Sequence, residues 1–166
     1  MMALLSKLEL IELPACRMIG IKVTNGGGDN PVPALWEKCF RENTLQILEE
    51  HSPIMDYWIG WMGEHNPESD TFTYLAGMLM PVDTEVPPGF DYRDLSPCTV
   101  GNGYIEGSST DGDVFFNAHQ LTVSGITSQG YEPDYAYGWS AEAYATDLPF
   151  DAEEGTINYL CPCKRI

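Results

Sequence analysis

The chain has 166 residues, enough for one domain with a real hydrophobic core, and at 43% hydrophobic and 20% charged residues its composition is globular, not disordered. Its 25 Asp and Glu against 8 Lys and Arg leave a net charge of −17, which repels a phosphate backbone and an anionic membrane surface and argues against direct nucleic-acid or membrane binding. No stretch is long enough to span a bilayer, and the start carries no secretory signal. Five cysteines without framework spacing fit a reducing compartment, so a cytoplasmic protein with free thiols is expected.

In chain order, residues 8–23 are rich in apolar and β-branched side chains broken by Leu13-Pro14-Ala15, which predicts two extended segments meeting at a bend. Asn25-Gly26-Gly27-Gly28 opens a loop. Over residues 33–51, Trp36, Cys39, Phe40, Ile47 and Leu48 recur at helical spacing, with Pro33 suited to a first turn. Residues 57–63 and 71–80 read as strands joined by the polar loop 65–70. Asp83-Thr84-Glu85-Val86-Pro87-Pro88-Gly89 reads as an internal linker, and after it the order returns. Residues 90–106 are extended, 112–129 helical, and 137–145 and 156–163 strands around a hairpin loop at 147–154.

The two halves, about 7–82 and 90–166, align weakly but in order. At an offset of 82, Leu13 falls on Leu95 and Cys16 on Cys98. At 79, Trp36 falls on Phe115, Phe40 on His119 and Ile47 on Ile126. At 78, Gly60-Trp61 falls on Gly138-Trp139 and Glu64 on Glu142.

Several segments together carry a family resemblance. Ile11-Glu12-Leu13-Pro14-Ala15-Cys16-Arg17-Met18-Ile19-Gly20-Ile21, the helix with Trp36-Glu37, Phe72-Thr73-Tyr74-Leu75-Ala76-Gly77 and Gly130-Tyr131-Glu132-Pro133 resemble the GyrI-like small-molecule-binding family. Ser140-Ala141-Glu142-Ala143-Tyr144 and Gly155-Thr156-Ile157-Asn158-Tyr159-Leu160 resemble its later strands. Such domains also serve as effector-binding parts of AraC-type and MerR-type regulators. The resemblance implies an α+β fold of two tandem strand-helix-strand-strand modules, antiparallel sheets with helices, forming one domain over residues 1–166 with a central ligand groove between the modules.

Glu142 is the foremost candidate residue. Strand alternation puts Ser140, Glu142 and Tyr144 on one side, the groove side by the resemblance. Trp139, Ala141 and Ala143 take the other, where small residues would let a helix pack close. A carboxylate in a partly dry aromatic groove seeks a cation, and rings within about 6 Å add roughly 0.5–2 kcal/mol each. Trp36, Phe116 and His119 on the helices, with Trp61 and Tyr74 on the strands, are candidates for the groove wall. Cys161-Pro162-Cys163 has no second ligand pair nearby and reads as two thiols, so no metal is assigned. Phosphate-loop, dinucleotide, nucleophile-elbow and zinc-protease motifs are absent, and no cofactor is expected.

The expected function is a stand-alone, monomeric binding protein for lipophilic, cationic aromatic small molecules, such as a drug or toxin. The resemblance also leaves open a hydrolase of cyclopropane-bearing toxins, with Glu142 and Tyr144 as its catalytic pair, and a gyrase-modulating contact with a protein partner.

Overall fold

Pro14 lacks the N–H that a ladder would use, and it separates β1 (Leu4–Leu13) from β2 (Cys16–Gly26) at the bend expected from the sequence. The chain is described from a computed structural model over residues 3–28, 30–108, 113–146 and 154–166, without the side chains of residues 108, 113, 114, 116, 154 and 155. After β2 come α1 (Val32–Arg41) and α2 (Gln46–Glu49). The continuous helix expected over 33–51 is thus broken. Asn43 takes φ +55, a left-handed conformation that Asn tolerates, and the Thr44 amide donates back to Cys39 O at 2.9 Å, closing α1.

β3 (Tyr57–Asn66) and β4 (Thr71–Met80) form the expected hairpin, and the proline-rich linker leads to β5 (Asp91–Leu95). The extended stretch expected over 90–106 is again two strands, because Ser96-Pro97 separates β5 from β6 (Cys98–Ser108). Then follow α3 (Asp113–Ser128), the short β7 (Tyr131–Pro133), a 3-10 turn (Tyr135–Tyr137), β8 (Trp139–Ala145) and β9 (Glu154–Arg165). Of the hairpin loop expected at 147–154, residues 147–153 lie outside the described residues.

The result is an α+β fold of two strand-helix-strand-strand modules, β2-α1-β3-β4 and β6-α3-β8-β9, and every strand pairing below is antiparallel. Two compact units contain them. The unit Ala15–Ser96 has strand order β3-β4-β2-β5, with α1 against β2 and β4. Its core includes Met18, Ile19, Trp36, Leu48, Ile59 and Leu75, all 2% exposed or less. The other unit joins Met1–Pro14 to Pro97–Ile166 and has order β1-β6-β9-β8, with β7 also on β9. These units differ from the sequence halves 7–82 and 90–166 because β1 pairs along β6, from Leu13 opposite Cys98 to Leu4 opposite Glu106.

In this second unit α3 lies on β6, β9 and β1, over two strand glycines. A Cβ at Gly101 would come within 2.5 Å of the Ile126 side chain, and the same helix contributes Thr122 over Gly103. Gly125, costly in a helix by about 1 kcal/mol relative to Ala, has its own reason. A Cβ there would lie 2.6 Å from Leu5 and 3.3 Å from Leu8, so the bare backbone is what lets α3 approach β1.

Candidate functional site

The period of β8 sorts its side chains as expected. Trp139, Ala141 and Ala143 are buried, and Ser140, Glu142 and Tyr144 are half-buried on the opposite face. Glu142 stands opposite Tyr159 on β9, and Tyr159 stands opposite Gly103 on β6. Directly opposed residues share a face, so Glu142 lies on the same side of the sheet as α3. This corrects the expectation that a helix packs on the Ala141 and Ala143 side. The small residues that admit the helix are Gly101 and Gly103 on β6.

Three elements build the site. From β8, the Tyr144 hydroxyl donates to Glu142 Oε2 at 2.8 Å. From α3, Phe115 places its ring 6.5 Å from that of Tyr144, and His119 places Nδ1 2.8 Å from the Tyr159 hydroxyl. From β9, the same hydroxyl lies 2.9 Å from Ser140 Oγ, so Tyr159 bridges the helix and β8. Tyr135, on the turn before β8, is exposed and sits 6.4 Å from the His119 ring.

Burial pushes the His119 pKa down and the Tyr159 pKa up, which leaves the imidazole neutral and the phenol protonated at neutral pH. Glu142 thus accepts from the Tyr144 phenol and stands opposite Tyr159 across the β8–β9 ladder. Among the described residues no group of three or more His, Cys, Asp or Glu is placed to hold a metal ion, and no helix is long and apolar enough to cross a membrane.

Three other candidates lie in the Ala15–Ser96 unit. Trp36 on α1 and Tyr74 on β4 are 2% and 1% exposed, and the indole Nε1 donates to the Tyr74 hydroxyl at 2.8 Å. Trp61 on β3 is 4% exposed, and its Nε1 has no hydrogen-bond partner among the described residues. Phe116 belongs to α3, but its side chain is outside the described residues. The structure thus gathers Glu142, Tyr144 and His119 in one unit and Trp36, Trp61 and Tyr74 in the other. Four members of the Glu142 cluster were not among the candidates: Ser140, Phe115, Tyr135 and Tyr159. Tyr159 had a signal, because Ile157, Tyr159 and Cys161 alternate along one face of β9.

The repeat also needs a new register. Leu13 opposes Cys98, and Leu95 opposes Cys16, so the offset of 82 maps one strand pair onto the other. Crossing the ladders from there, Ile21, Ala76 and Gly60 oppose one another in one module, as Gly103, Tyr159 and Glu142 do in the other. The counterpart of Glu142 is therefore Gly60, in place of the Glu64 given by the offset of 78. Glu64 follows at φ +58 and makes a two-point pair with Arg93, at 2.9 and 3.0 Å. The Arg93 guanidinium holds the Glu64 carboxyl below its usual pKa.

No protein-family model matches the chain, and no curated protein matches it significantly in sequence. Solved structures do match it in fold. The structure of SAV2435 bound to tetraphenylphosphonium is similar over 95% of this chain and 94% of its own, at 15% identity and a TM-score of 0.70. The EcmrR C-terminal domain is similar over 96% and 98%, at 13% identity and a TM-score of 0.58. An integron cassette protein from the mobile metagenome of Vibrio cholerae is similar over 98% and 99%, at 12% identity and a TM-score of 0.58. At such identities the likeness is one of fold, and that fold is the one implied by the GyrI-like resemblance.

Proposed function

We propose that the chain is a small-molecule-binding domain of the effector-binding kind, and that it holds a lipophilic aromatic cation against Glu142. The observation that carries this reading is the half-buried Glu142 side chain, bonded by the Tyr144 hydroxyl, whose ring lies 6.5 Å from that of Phe115. Partial burial raises the value of a counter-charge, and ring faces reward a large apolar cation without demanding one shape. The fold shared with SAV2435, which was solved with tetraphenylphosphonium bound, supports the ligand class. The shared fold of the EcmrR C-terminal domain supports a module of this kind. His119 and Tyr159 serve in this reading to fix the floor of the site. A neutral imidazole and a protonated phenol add no charge that would compete for the ligand.

The test is a titration with tetraphenylphosphonium and with the neutral triphenylphosphine oxide, followed by intrinsic Trp fluorescence and by mass analysis of the recovered ligand. Saturable binding that prefers the cation, with the ligand intact, supports the reading. Equal binding of the neutral compound removes the role of Glu142. For an electrophilic ligand recovered with added water, the same surface would be that of a hydrolase.

A further inference from the structure

The two modules finish their sheet edges differently. β1 accompanies β6 from Cys98 as far as Glu106. Its counterpart β5 accompanies β2 only from Cys16 to Gly20, where Asp91 is the last partner. Immediately before β5, Pro87 and Pro88 lack ladder donors, and Gly89 takes φ +87, so the strand cannot continue along β2. Residues 21–26 therefore have β4 on one side, from Ala76 to Thr71, and no strand on the other among the described residues. In an antiparallel ladder alternate residues turn their N–H and C=O groups away from a given neighbour. This stretch of β2 presents an open row of donors and acceptors. At the equivalent residues 103–106 of β6, β1 supplies the partner strand.

Beside the open edge lies a cavity of about 540 Å³. Ile21, Val23 and Leu35 give it an apolar wall, and Lys22, Lys38 and Glu42 are its charged lining residues. The lysines stand out in a chain of net charge −17. Arg17, Arg41 and Arg93 are ion-paired to Asp94, Glu37 and Glu64, and Lys7 to Glu9. Lys22 and Lys38 make no ion pair among the described residues, and Glu42 lies 3.9 Å from Arg41.

We infer that the open edge of β2 receives an extended acidic peptide segment of a partner protein. It pairs antiparallel with residues 21–26, taking up where β5 stops, as β1 does on β6. Its apolar side chains lie on the Ile21 and Val23 face. Its carboxylates lie beside Lys22, on the face opposite Ile21 and Val23, and Lys38 of α1 adds a positive charge on the Ile21 side of the edge. Backbone pairing at a free sheet edge provides the affinity, and alternate side chains provide the selectivity. A second copy of this chain is a poorer occupant. Residues 21–26 of a second copy carry no carboxylate, and their antiparallel self-pairing would place Lys22 opposite Asn25, leaving the lysine without a counter-charge. At physiological salt the screening length is about 8 Å, so the two lysines govern the local encounter with a short acidic segment.

The probe is a fluorescein-labelled ten-residue peptide of alternating Val and Glu, added to the full chain and read by anisotropy and by hydrogen exchange. Saturable binding is expected, with slowed exchange at residues 21–26. N-methylation of the amides along one edge of the peptide, or the double variant Lys22→Glu/Lys38→Glu, should weaken binding at least ten-fold. Equal affinity for the N-methylated peptide, equal affinity for a Val and Lys peptide, protection elsewhere, or no binding at millimolar peptide each overturns the inference. Protection that grows with protein concentration alone makes a second copy the occupant and overturns it too. Tetraphenylphosphonium binding, titrated in parallel, is expected to be unchanged, because the edge and the Glu142 cluster share no residue.

Discussion

Gly60 and Glu142 occupy equivalent places in the two modules, each one ladder step from Ala76 or from its counterpart Tyr159. The space over Gly60 is taken by the Tyr74 phenol, which also accepts the Trp36 indole N–H. At the position of Tyr74 the second module has Ile157, whose side chain has no hydroxyl, and the acid is held by Tyr144 of its own strand. One copy of the repeat has closed over this position with aromatic packing, and the other has placed a charge in it.

Gly60→Ala tests the closed copy. The new Cβ meets the Tyr74 hydroxyl, displaces it from Trp36 and leaves a buried donor unsatisfied. A loss of about 1–3 kcal/mol is expected in thermal or denaturant unfolding. Tyr74→Phe, which removes the acceptor without crowding, should cost about 1–2 kcal/mol by the same route. If both variants unfold like the parent, the Trp36 and Tyr74 contact does not stabilise the fold.

Glu142→Gln keeps the shape of the side chain and removes its charge. Unfolding should be nearly unchanged, and tetraphenylphosphonium should bind more weakly by about 1–3 kcal/mol, the usual value of a charge-assisted contact out of water. Tyr144→Phe frees the carboxylate from its phenol and should change affinity by less. The two variants titrated side by side separate charge from positioning.

His119 makes stability depend on pH. Its folded pKa lies below the ordinary value of 6.5 because burial disfavours the imidazolium. As pH falls below 6.5 the unfolded chain takes up this proton first, so folding loses stability through the window between 6.5 and the lowered value. His119→Gln, which can still bond Tyr159, should flatten that part of a melting-temperature profile. An unchanged slope would show that His119 is accessible to the proton in the folded state.

The five cysteines are all buried free thiols. Burial is the largest cause raising the pKa of Cys98 to about 11 and of Cys161 to about 12, and it raises Cys39 and Cys163 as well. Thiolate is the reactive form. With a disulfide reagent at pH 8, the folded chain should therefore react at least about ten-fold more slowly than the chain in guanidinium. Cys163 and Cys161, two residues apart, should not react as a fast pair.

What the sequence made legible follows from which interactions are local. The β8 alternation of Ser140, Glu142 and Tyr144 depends on a two-residue period and can be read without a partner. So can the bend at Pro14 and the linker before β5. The helix break at Asn43 was hidden because Leu45, Ile47 and Leu48 continue an apolar pattern past it. The side on which α3 lies was hidden because Gly101 and Gly103, which admit it, sit on a strand distant in sequence. The register that equates Glu142 with Gly60 also passes through two neighbouring strands. An alignment of residue types alone was drawn instead to the matching dipeptides at Gly60 and Gly138.

The placement of β1 sets an order of assembly. The unit Ala15–Ser96 is one continuous stretch, able to close its own ladders as soon as it has been synthesised. β1 is made before that stretch, but its partner β6 is made after it. Until then β1, with Leu4, Leu5, Leu8 and Leu10, has no strand to join, and the loop it must eventually close contains the whole of the other unit. Long-range pairing of this kind slows folding and prolongs the exposure of apolar strands. A chain truncated after Ser96 would carry a β1 with nowhere to go, whereas moving β1 to the C-terminal side of β9 would let each unit fold from contiguous sequence.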